Sequence, residues 1–262
     1  TLAFYLPAMS FVAEVLEADQ SSWTKILAIY PRNELLKDQF SSALKQTYEL
    51  KKKNLPVRPV RIGAWFGGTP SHPGAENVWD ANKGRDATFD LSTCPECDKK
   101  LVWKSADRVQ KIERLRCSGT GCSCVIDSDL VALTRDSVKE KPVDILFTSS
   151  ESLNRQIADS ESFKAFGVNA NNPLRMVLLD EVHTYEGTTG AQNAYLFRRL
   201  SQAVNAPLTW VALSAKEFLD LDLVVVFQQK VDTREYDRLQ KSDQIKHFGL
   251  EHTDAYSQPR VM

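Results

Sequence analysis

Residues 177–183 read Val-Leu-Leu-Asp-Glu-Val-His, a short apolar run that ends abruptly in two acids and a histidine. A strand that is buried on both faces of a parallel sheet has such a continuous apolar sequence. In open α/β sheets, ligands bind just beyond the carboxyl ends of these strands. Asp180 is therefore placed to anchor the metal of a Mg-nucleotide through water, and Glu181 to polarise an attacking water. The alternative is a surface acidic pair that caps the next helix.

Strand-like and helix-like segments alternate on both sides of this run. The other predicted strands are residues 25–30, 60–66, 144–148 and 208–213. The predicted helices are residues 5–18, a segment that Asn33 is expected to cap, residues 151–157 and residues 190–204. This alternation predicts an α/β fold in which helices cover both faces of a parallel sheet. Residues 69–93 are rich in Gly, Pro, Asn and Asp, which predicts a long excursion out of the sheet.

Composition excludes few functions but bounds the class of protein. The 262 residues are 42% hydrophobic and 26% charged, as in ordinary globular proteins. A net charge of −1 gives no global sign of nucleic-acid binding, so any basic surface must be local. No apolar stretch reaches the ~18 to 20 residues of a membrane span, and no basic region opens a signal peptide. We therefore expect a cytoplasmic protein without a membrane partner. Because the chain does not begin with Met, we interpret it as a fragment.

All five cysteines lie between Cys94 and Cys124. This clustering indicates a metal site in a reducing compartment rather than a disulfide scaffold. Cys94 and Cys97 form one Cys-x-x-Cys turn, and Cys117 opens a second turn after a hairpin-length spacer, with strands expected at residues 101–103 and 113–116. Two such turns are typical of a tetrahedral structural zinc site. The alternative is a set of unligated core cysteines.

The fourth zinc ligand is either Cys122 or Cys124. Cys122 is preferred because Gly119 and Gly121 let the chain fold back around the metal, which leaves Cys124 as a buried thiol. Four thiolates leave no open coordination position, so this zinc would be structural. A zinc hydrolase is a weaker alternative, because the chain has no His-Glu-x-x-His pattern.

Together these segments resemble the first RecA-like motor domain of superfamily 2 helicases. Residues 180–183 match the D-E-x-H box, and Ser214-Ala215 matches the start of a Ser-Ala-Thr motif. The resemblance implies ATP and Mg²⁺ as cofactors. Asp180 and Thr1 would hold the Mg²⁺ shell, with the Gly-Lys of a phosphate-binding loop immediately before Thr1. Glu181 would activate the attacking water, while His183, Ser214 and Ala215 would link the nucleotide state to domain movement.

Three further motifs match the nucleic-acid contacts of the same family. They are residues 30–39, which read Tyr-Pro-Arg-Asn-Glu-Leu-Leu-Lys-Asp-Gln, the pair Gly67-Gly68, and residues 148–154. The resemblance implies that Arg32, Gly67, Gly68 and Thr148 hold backbone phosphates of one strand. Such contacts carry no sequence information. The expected partner is nucleic acid, DNA rather than RNA.

The run Asp-Glu-Val-His-Thr-Tyr-Glu-Gly at residues 180–187 is most similar to a branch that includes DNA-repair helicases and the helicase subunit of the DISARM anti-phage system. The zinc ribbon inserted at about residues 90–127 favours the DISARM-like member. This resemblance implies a role in anti-phage defence and contact with other defence-system subunits.

Lys216 stands where the family has Thr, which limits the predicted motor domain to residues 1–216. Residues 217–262 carry no recognisable motif, and we interpret them as part of a second motor domain after a gap. The predicted function is an ATP-dependent helicase or translocase. The fragment alone is expected to be inactive, because it lacks the arginine that the second domain contributes. The alternative is a non-catalytic scaffold in which the zinc ribbon binds nucleic acid on a vestigial motor fold.

Overall fold

The computed structural model describes residues 2–75, 78–79, 85–168 and 170–213. In chain order the strands are β1 (Ile26–Tyr30), β2 (Ile62–Trp65), β3 (Ala87–Thr93), β4 (Lys100–Trp103), β5 (Arg114–Cys117), β6 (Val125–Asp127), β7 (Val131–Ala132), β8 (Ile145–Ser149), β9 (Met176–Leu179) and β10 (Thr209–Ala212). The α-helices are α1 (Leu2–Ala18), α2 (Asn33–Lys52), α3 (Ser105–Val109), α4 (Arg135–Glu140), α5 (Ser150–Gln156) and α6 (Gly187–Val204). Two 3-10 helices span Ser160–Phe166 and Val182–Thr184.

Six strands form one parallel sheet in the order β10-β9-β1-β8-β2-β7. Ile26 at the start of β1 pairs with Ile145 of β8 on one side and with Met176 of β9 on the other. This common register brings the carboxyl ends of β1, β8 and β9 to the same edge of the sheet. The predicted α/β fold is therefore confirmed, and the edge that follows β9 is the one on which the acidic box was expected.

Apolar side chains fill both faces of this sheet. On one face, Phe147 of β8 stacks on Tyr30 at 6.1 Å between ring centroids and meets Phe40 of α2 edge-on at 5.2 Å. On the other face, α4 packs so closely on β2 that a Cβ at Gly63 would lie 3.3 Å from Val138. Helices thus cover both faces. Among the described residues, no helix is long and apolar enough to cross a membrane.

A buried ion network ties the amino ends of the central strands together. Lys25, fully buried, places its Nζ 2.9 Å from Oδ1 of Asp144, and Arg58 donates to both oxygens of the same carboxylate at 2.7 and 2.8 Å. Asp144 also accepts the backbone N–H of Arg61 at 2.8 Å. A buried carboxylate requires such full pairing. The network lies at the edge opposite the acidic box and therefore has a structural role.

A second sheet interrupts the parallel one between β2 and β7. It is antiparallel, in the order β3-β4-β5-β6, and carries the cysteine turns. We call residues 87–127 the ribbon. The ribbon packs along α2, where Phe40 meets Phe89 edge-on at 6.0 Å. Four lysines of α2 and one tyrosine also contact acids of this region: Lys37–Asp90, Lys45–Asp98, Lys51–Asp129, Lys52–Glu96 and Tyr48–Glu96.

One local prediction was incomplete and one was wrong. β3 lies outside the parallel sheet, in agreement with the predicted excursion 69–93, but the strand itself was missed because the alternation of buried Ala87, Phe89 and Leu91 was hidden beside a Gly- and Pro-rich stretch. Asn33 does not cap α2 but is its first residue. The N-cap is Arg32, whose side chain makes no capping hydrogen bond.

Candidate functional site

Backbone hydrogen bonds fix the acidic box at the carboxyl edge of the parallel sheet. The N–H of Val182 donates to the carbonyl of Leu213 at 3.0 Å, and the N–H of Leu213 donates to Leu179 at 2.8 Å. The N–H of Asp180 points to the carbonyl of Ile29 at 3.4 Å. The two carboxylates therefore follow β9 directly and sit between the ends of β1 and β10.

Asp180 is nearly buried, with 9% of its surface exposed. Its Oδ1 accepts the N–H of Glu181 at 2.9 Å. Burial raises the pKa of Asp180, and the Glu181 charge adds to this effect, whereas the N–H of Glu181 opposes it. A buried carboxylate of this kind is stabilised by a cation. The position therefore suits a ligand to a divalent metal, in keeping with the role predicted for it.

Glu181 has a left-handed backbone conformation with φ 53° and ψ 43°. This region disfavours residues with a Cβ by roughly 1–2 kcal/mol, and such conformations cluster at functional sites. The conformation is held by Thr184, whose N–H and hydroxyl both donate to the Glu181 carbonyl at 2.8 Å. Oε2 of Glu181 lies 3.0 Å from Nε2 of His183.

Three buried tyrosine hydroxyls lie near enough to Asp180 for its charge to raise their pKa, and the sequence did not single them out. Tyr5 of α1 and Tyr30 of β1 are hydrogen-bonded to each other through their hydroxyls. Burial raises the pKa of both, and that of Tyr185 to about 12, and the charge of Asp180 raises each further. These three hydroxyls stay protonated at neutral pH, so they are neutral groups that can donate hydrogen bonds.

A polar cleft of about 460 Å³ opens beside the box at the ends of β1 and β8. Its lining includes Arg32, Asn154, Tyr185 and Gln192, so the structure brings the predicted phosphate contact Arg32 into one cavity with residues that follow the acidic box. The hydroxyls of Tyr185 and Ser150 are buried at its floor, close to each other but without a well-formed hydrogen bond to any described group.

The remaining predicted nucleic-acid contacts are placed differently from one another. Gly67 and Gly68 form an exposed turn after β2, and a Cβ at Gly67 would meet none of the described groups within 4 Å, so the backbone is open to a ligand. Thr148 is fully buried instead, and its hydroxyl donates to the carbonyl of Trp65 at 2.7 Å. That hydroxyl joins β8 to β2, and a phosphate could reach it only if this bond broke.

Gly190 shapes the site and was also missed. It lies in the first turn of α6, where a Cβ would overlap the carbonyl group of Tyr185. Only glycine allows α6 to approach the box this closely. A glycine three residues after Gly187, inside a predicted helix, was the available signal. Thr1, Ser214 and Ala215 lie outside the described residues.

The four cysteines chosen from the sequence converge in the ribbon. The sulfur atoms of Cys94, Cys97, Cys117 and Cys122 all lie within 4.8 Å of one another. The Cys94–Cys122 and Cys97–Cys117 sulfur separations are 3.7 and 3.3 Å. Tetrahedral zinc with Zn–S bonds of ~2.3 Å needs sulfur atoms about 3.8 Å apart, so the cluster could bind zinc. Cys124 is buried and lies outside this group.

Backbone N–H groups near the four cysteines favour the thiolate form that binds a cation. Burial disfavours the Cys94 thiolate, but the N–H groups of Glu96 and Cys97 outweigh it and lower the pKa of Cys94 to about 7. At Cys117 the N–H of Gly119 favours the thiolate, yet burial and the neighbouring thiols prevail and raise the pKa to about 12. One thiolate thus forms readily and hinders the others, which is the charge imbalance that a divalent cation would relieve.

No protein-family model matches the sequence, and a comparison with curated proteins finds no match either. Among solved structures, the chain is similar to the Mycobacterium smegmatis helicase Lhr bound to ssDNA and AMP-PNP, with a TM-score of 0.45 and 19% identity over 82% of this chain and 19% of that one. It is also similar to the DUF1998 helicase MrfA, with a TM-score of 0.44 and 16% identity over 82% of this chain and 22% of that one. The chain thus spans about a fifth of the length of these structures.

Proposed function

We propose that this chain belongs to the first motor domain of an ATP-dependent helicase or translocase that acts on nucleic acid. One observation carries the proposal: a nearly buried Asp180 and a one-third exposed Glu181 follow the carboxyl end of a central parallel strand, with His183 in contact with Glu181. Ligands of open α/β sheets bind at this edge. A vestigial scaffold would gain nothing from two adjacent carboxylates, one of them in a strained backbone conformation.

The two acids differ in burial, and we assign them different roles. Asp180 would hold Mg²⁺ and its water shell, together with Thr1, because its carboxylate is nearly buried and a bound cation would favour its charged form. Glu181 would accept the proton from the water that attacks the γ-phosphate, because its side chain is one-third exposed and therefore accessible to water. The bound Mg²⁺ would neutralise charge that develops on the phosphates. The second motor domain would supply the remaining cationic groups.

The nucleic acid would cross the same edge of the sheet. Arg32 reaches the cleft beside the box, and the Gly67-Gly68 turn offers open backbone two strands away. We propose DNA as the substrate and assign Arg32 and the glycine turn to its phosphates. His183, Ser214 and Ala215 would link the state of the nucleotide to domain movement. A role in anti-phage defence, with other defence-system subunits as partners, extends this proposal through the DISARM-like run at residues 180–187.

Zinc would stabilise the ribbon rather than take part in hydrolysis. The four thiols occupy every tetrahedral position, and the cluster belongs to the antiparallel sheet, not to the edge that carries Asp180.

The test uses the full-length protein and compares Glu181→Gln with Asp180→Asn. Glu181→Gln keeps the side-chain shape but cannot accept a proton, so we expect nucleotide binding to persist while DNA-stimulated phosphate release falls by about 10²- to 10⁴-fold. Asp180→Asn should weaken binding of the Mg-nucleotide itself. Glu186→Gln, an exposed acid just beyond the box, is the matched control. Wild-type turnover by Glu181→Gln would assign the proton acceptor to another residue, whereas a wild-type protein that binds DNA but releases no phosphate would favour the scaffold.

A further inference from the structure

We propose that Arg135, supported by Lys139 and Arg155, is a second phosphate-binding point for the nucleic acid, beside the Gly67-Gly68 turn. This inference rests on the proposed function and adds to it a residue that no sequence motif indicated. Arg135 is the first residue of α4, which follows the ribbon in the chain, and none of the motifs in residues 148–154 or 180–187 includes it.

Arg135 is hydrogen-bonded to the residues on both sides of the Gly67-Gly68 turn. Its guanidinium donates to the carbonyl of Phe66 at 2.7 Å, and its backbone N–H donates to the carbonyl of Pro70 at 2.9 Å. Within the turn, the hydroxyl of Thr69 donates to Ala64 at 3.0 Å and accepts the N–H of Phe66 at 3.2 Å. The cation therefore has a fixed position relative to the open backbone of Gly67.

Arg135 carries the uncompensated charge of this cluster, whereas Lys139 and Arg155 each have an exposed acid within 4.0 Å. Among the described residues, no carboxylate lies within ion-pair distance of Arg135, and its Nε is buried without a hydrogen-bond partner. Burial lowers the pKa of Arg135, and the charge of Arg155 lowers it further, with no acid acting in the other direction. The acids that reach its neighbours are exposed: Glu151 pairs with Arg155, and Glu161 is 4.0 Å from Lys139.

Trp65 lies close to two cations of the cluster, Arg135 and Lys139. The Arg135 guanidinium lies 6.0 Å and the Lys139 ammonium 5.8 Å from the centroid of its ring, which is buried at the end of β2. Two like charges near one aromatic ring repel each other, and a bound anion would relieve this repulsion. A ligand that brings a phosphate would supply that anion.

The position suits a nucleic acid backbone in particular. β8 lies between β1 and β2, so the glycine turn is two strand spacings, roughly 10 Å, from the end of β1 that leads into Arg32. One strand could contact both places within a few nucleotides. The planar guanidinium matches the geometry of a phosphodiester better than an ammonium does. Backbone N–H groups of the turn would add further donors to the same phosphate.

The experiment measures binding of fluorescein-labelled oligo(dT) by the full-length protein over a range of salt concentrations. Arg135→Gln retains a donor for the Phe66 carbonyl but removes the charge. We expect about 10-fold weaker binding and a slope of log K against log salt that is smaller by about 0.7, the value for one phosphate contact on a single strand. Arg175→Gln is the matched control, because this exposed arginine precedes β9 at the opposite edge of the sheet.

The outcomes separate this inference from the proposed function. Wild-type affinity and slope in Arg135→Gln, or weaker binding with an unchanged slope, would overturn the phosphate contact, since a purely structural arginine leaves the slope as it was. A wild-type protein that neither binds oligo(dT) nor hydrolyses ATP would overturn the proposed function itself, and this inference with it.

Discussion

The Nε2 atom of His183 lies 3.0 Å from the Oε2 atom of Glu181, although the two residues are separated by only one position in the chain. The contact exists because Glu181 has a left-handed backbone and the next residues form a 3-10 turn, Val182–Thr184. The proposed base is therefore in contact with the residue that we propose links the nucleotide state to domain movement. A change in the imidazole's surroundings would alter the carboxylate directly.

We expect His183→Ala to separate ATP hydrolysis from nucleic-acid binding in the full-length protein. Without the imidazole, Glu181 loses the group that orients it, so DNA-stimulated phosphate release should fall by about 10-fold or more. DNA affinity, measured by fluorescence anisotropy, should remain at the wild-type level. His72→Ala removes an exposed histidine far along the chain and serves as the control. Full stimulation by DNA in His183→Ala would show that the contact has no part in coupling.

Asp180→Asn should stabilise the protein in the absence of Mg²⁺. Burial raises the pKa of Asp180 above its unfolded value of 3.8, so between these two values the folded state binds more protons than the unfolded state. Stability from this group is therefore lost as pH rises through that window, and the cost persists at neutral pH. Thermal melts at pH 7.5 should show a higher Tm for Asp180→Asn than for wild type or the exposed-site control Asp38→Asn.

The same variant should lose the stabilisation that a ligand provides. Mg-nucleotide at a concentration 100-fold above its Kd stabilises a protein by about 2.7 kcal/mol, and Asp180→Asn should show little of this rise in Tm. If Asp180→Asn melted below wild type without Mg²⁺ yet gained normally from Mg-nucleotide, the assignment of Asp180 to the metal would be wrong.

The ribbon should contain one zinc ion per chain, held by Cys94, Cys97, Cys117 and Cys122 at Zn–S distances of ~2.3 Å. After dialysis against a chelator, Cys97→Ser should keep less than about half an ion per chain, because one thiolate is lost. Far-ultraviolet circular dichroism should show the parallel sheet intact. Cys124→Ser is the control and should keep its zinc. Equal zinc in the two variants would contradict the ligand set.

Patterns with a strong local cause were predictable. Continuous apolar runs predicted the central strands, and the paired cysteine turns with Gly119 and Gly121 predicted which four cysteines converge; Gly121 has a left-handed φ of 83°. What depends on packing was not predictable. The three tyrosines near Asp180 come together because α1, β1 and the turn after β9 are neighbours in the fold. The charge cluster at Arg135 forms because α4 begins beside the end of β2.

The row of contacts between α2 and the ribbon fixes the orientation of this helix relative to the ribbon. Arg32 stands at one end of α2, and Lys45 and Tyr48, which contact the ribbon beside the cysteine turns, lie roughly 20–24 Å along it at 1.5 Å per residue. Because a helix is stiff, a tilt at the ribbon end of α2 would also move its N-terminal end. Exposed ion pairs loosen in salt, whereas the Phe40–Phe89 contact does not. Loss of the proposed zinc ion would therefore tilt α2 and displace Arg32 from its proposed phosphate contact, although Arg32 is far from the four cysteines.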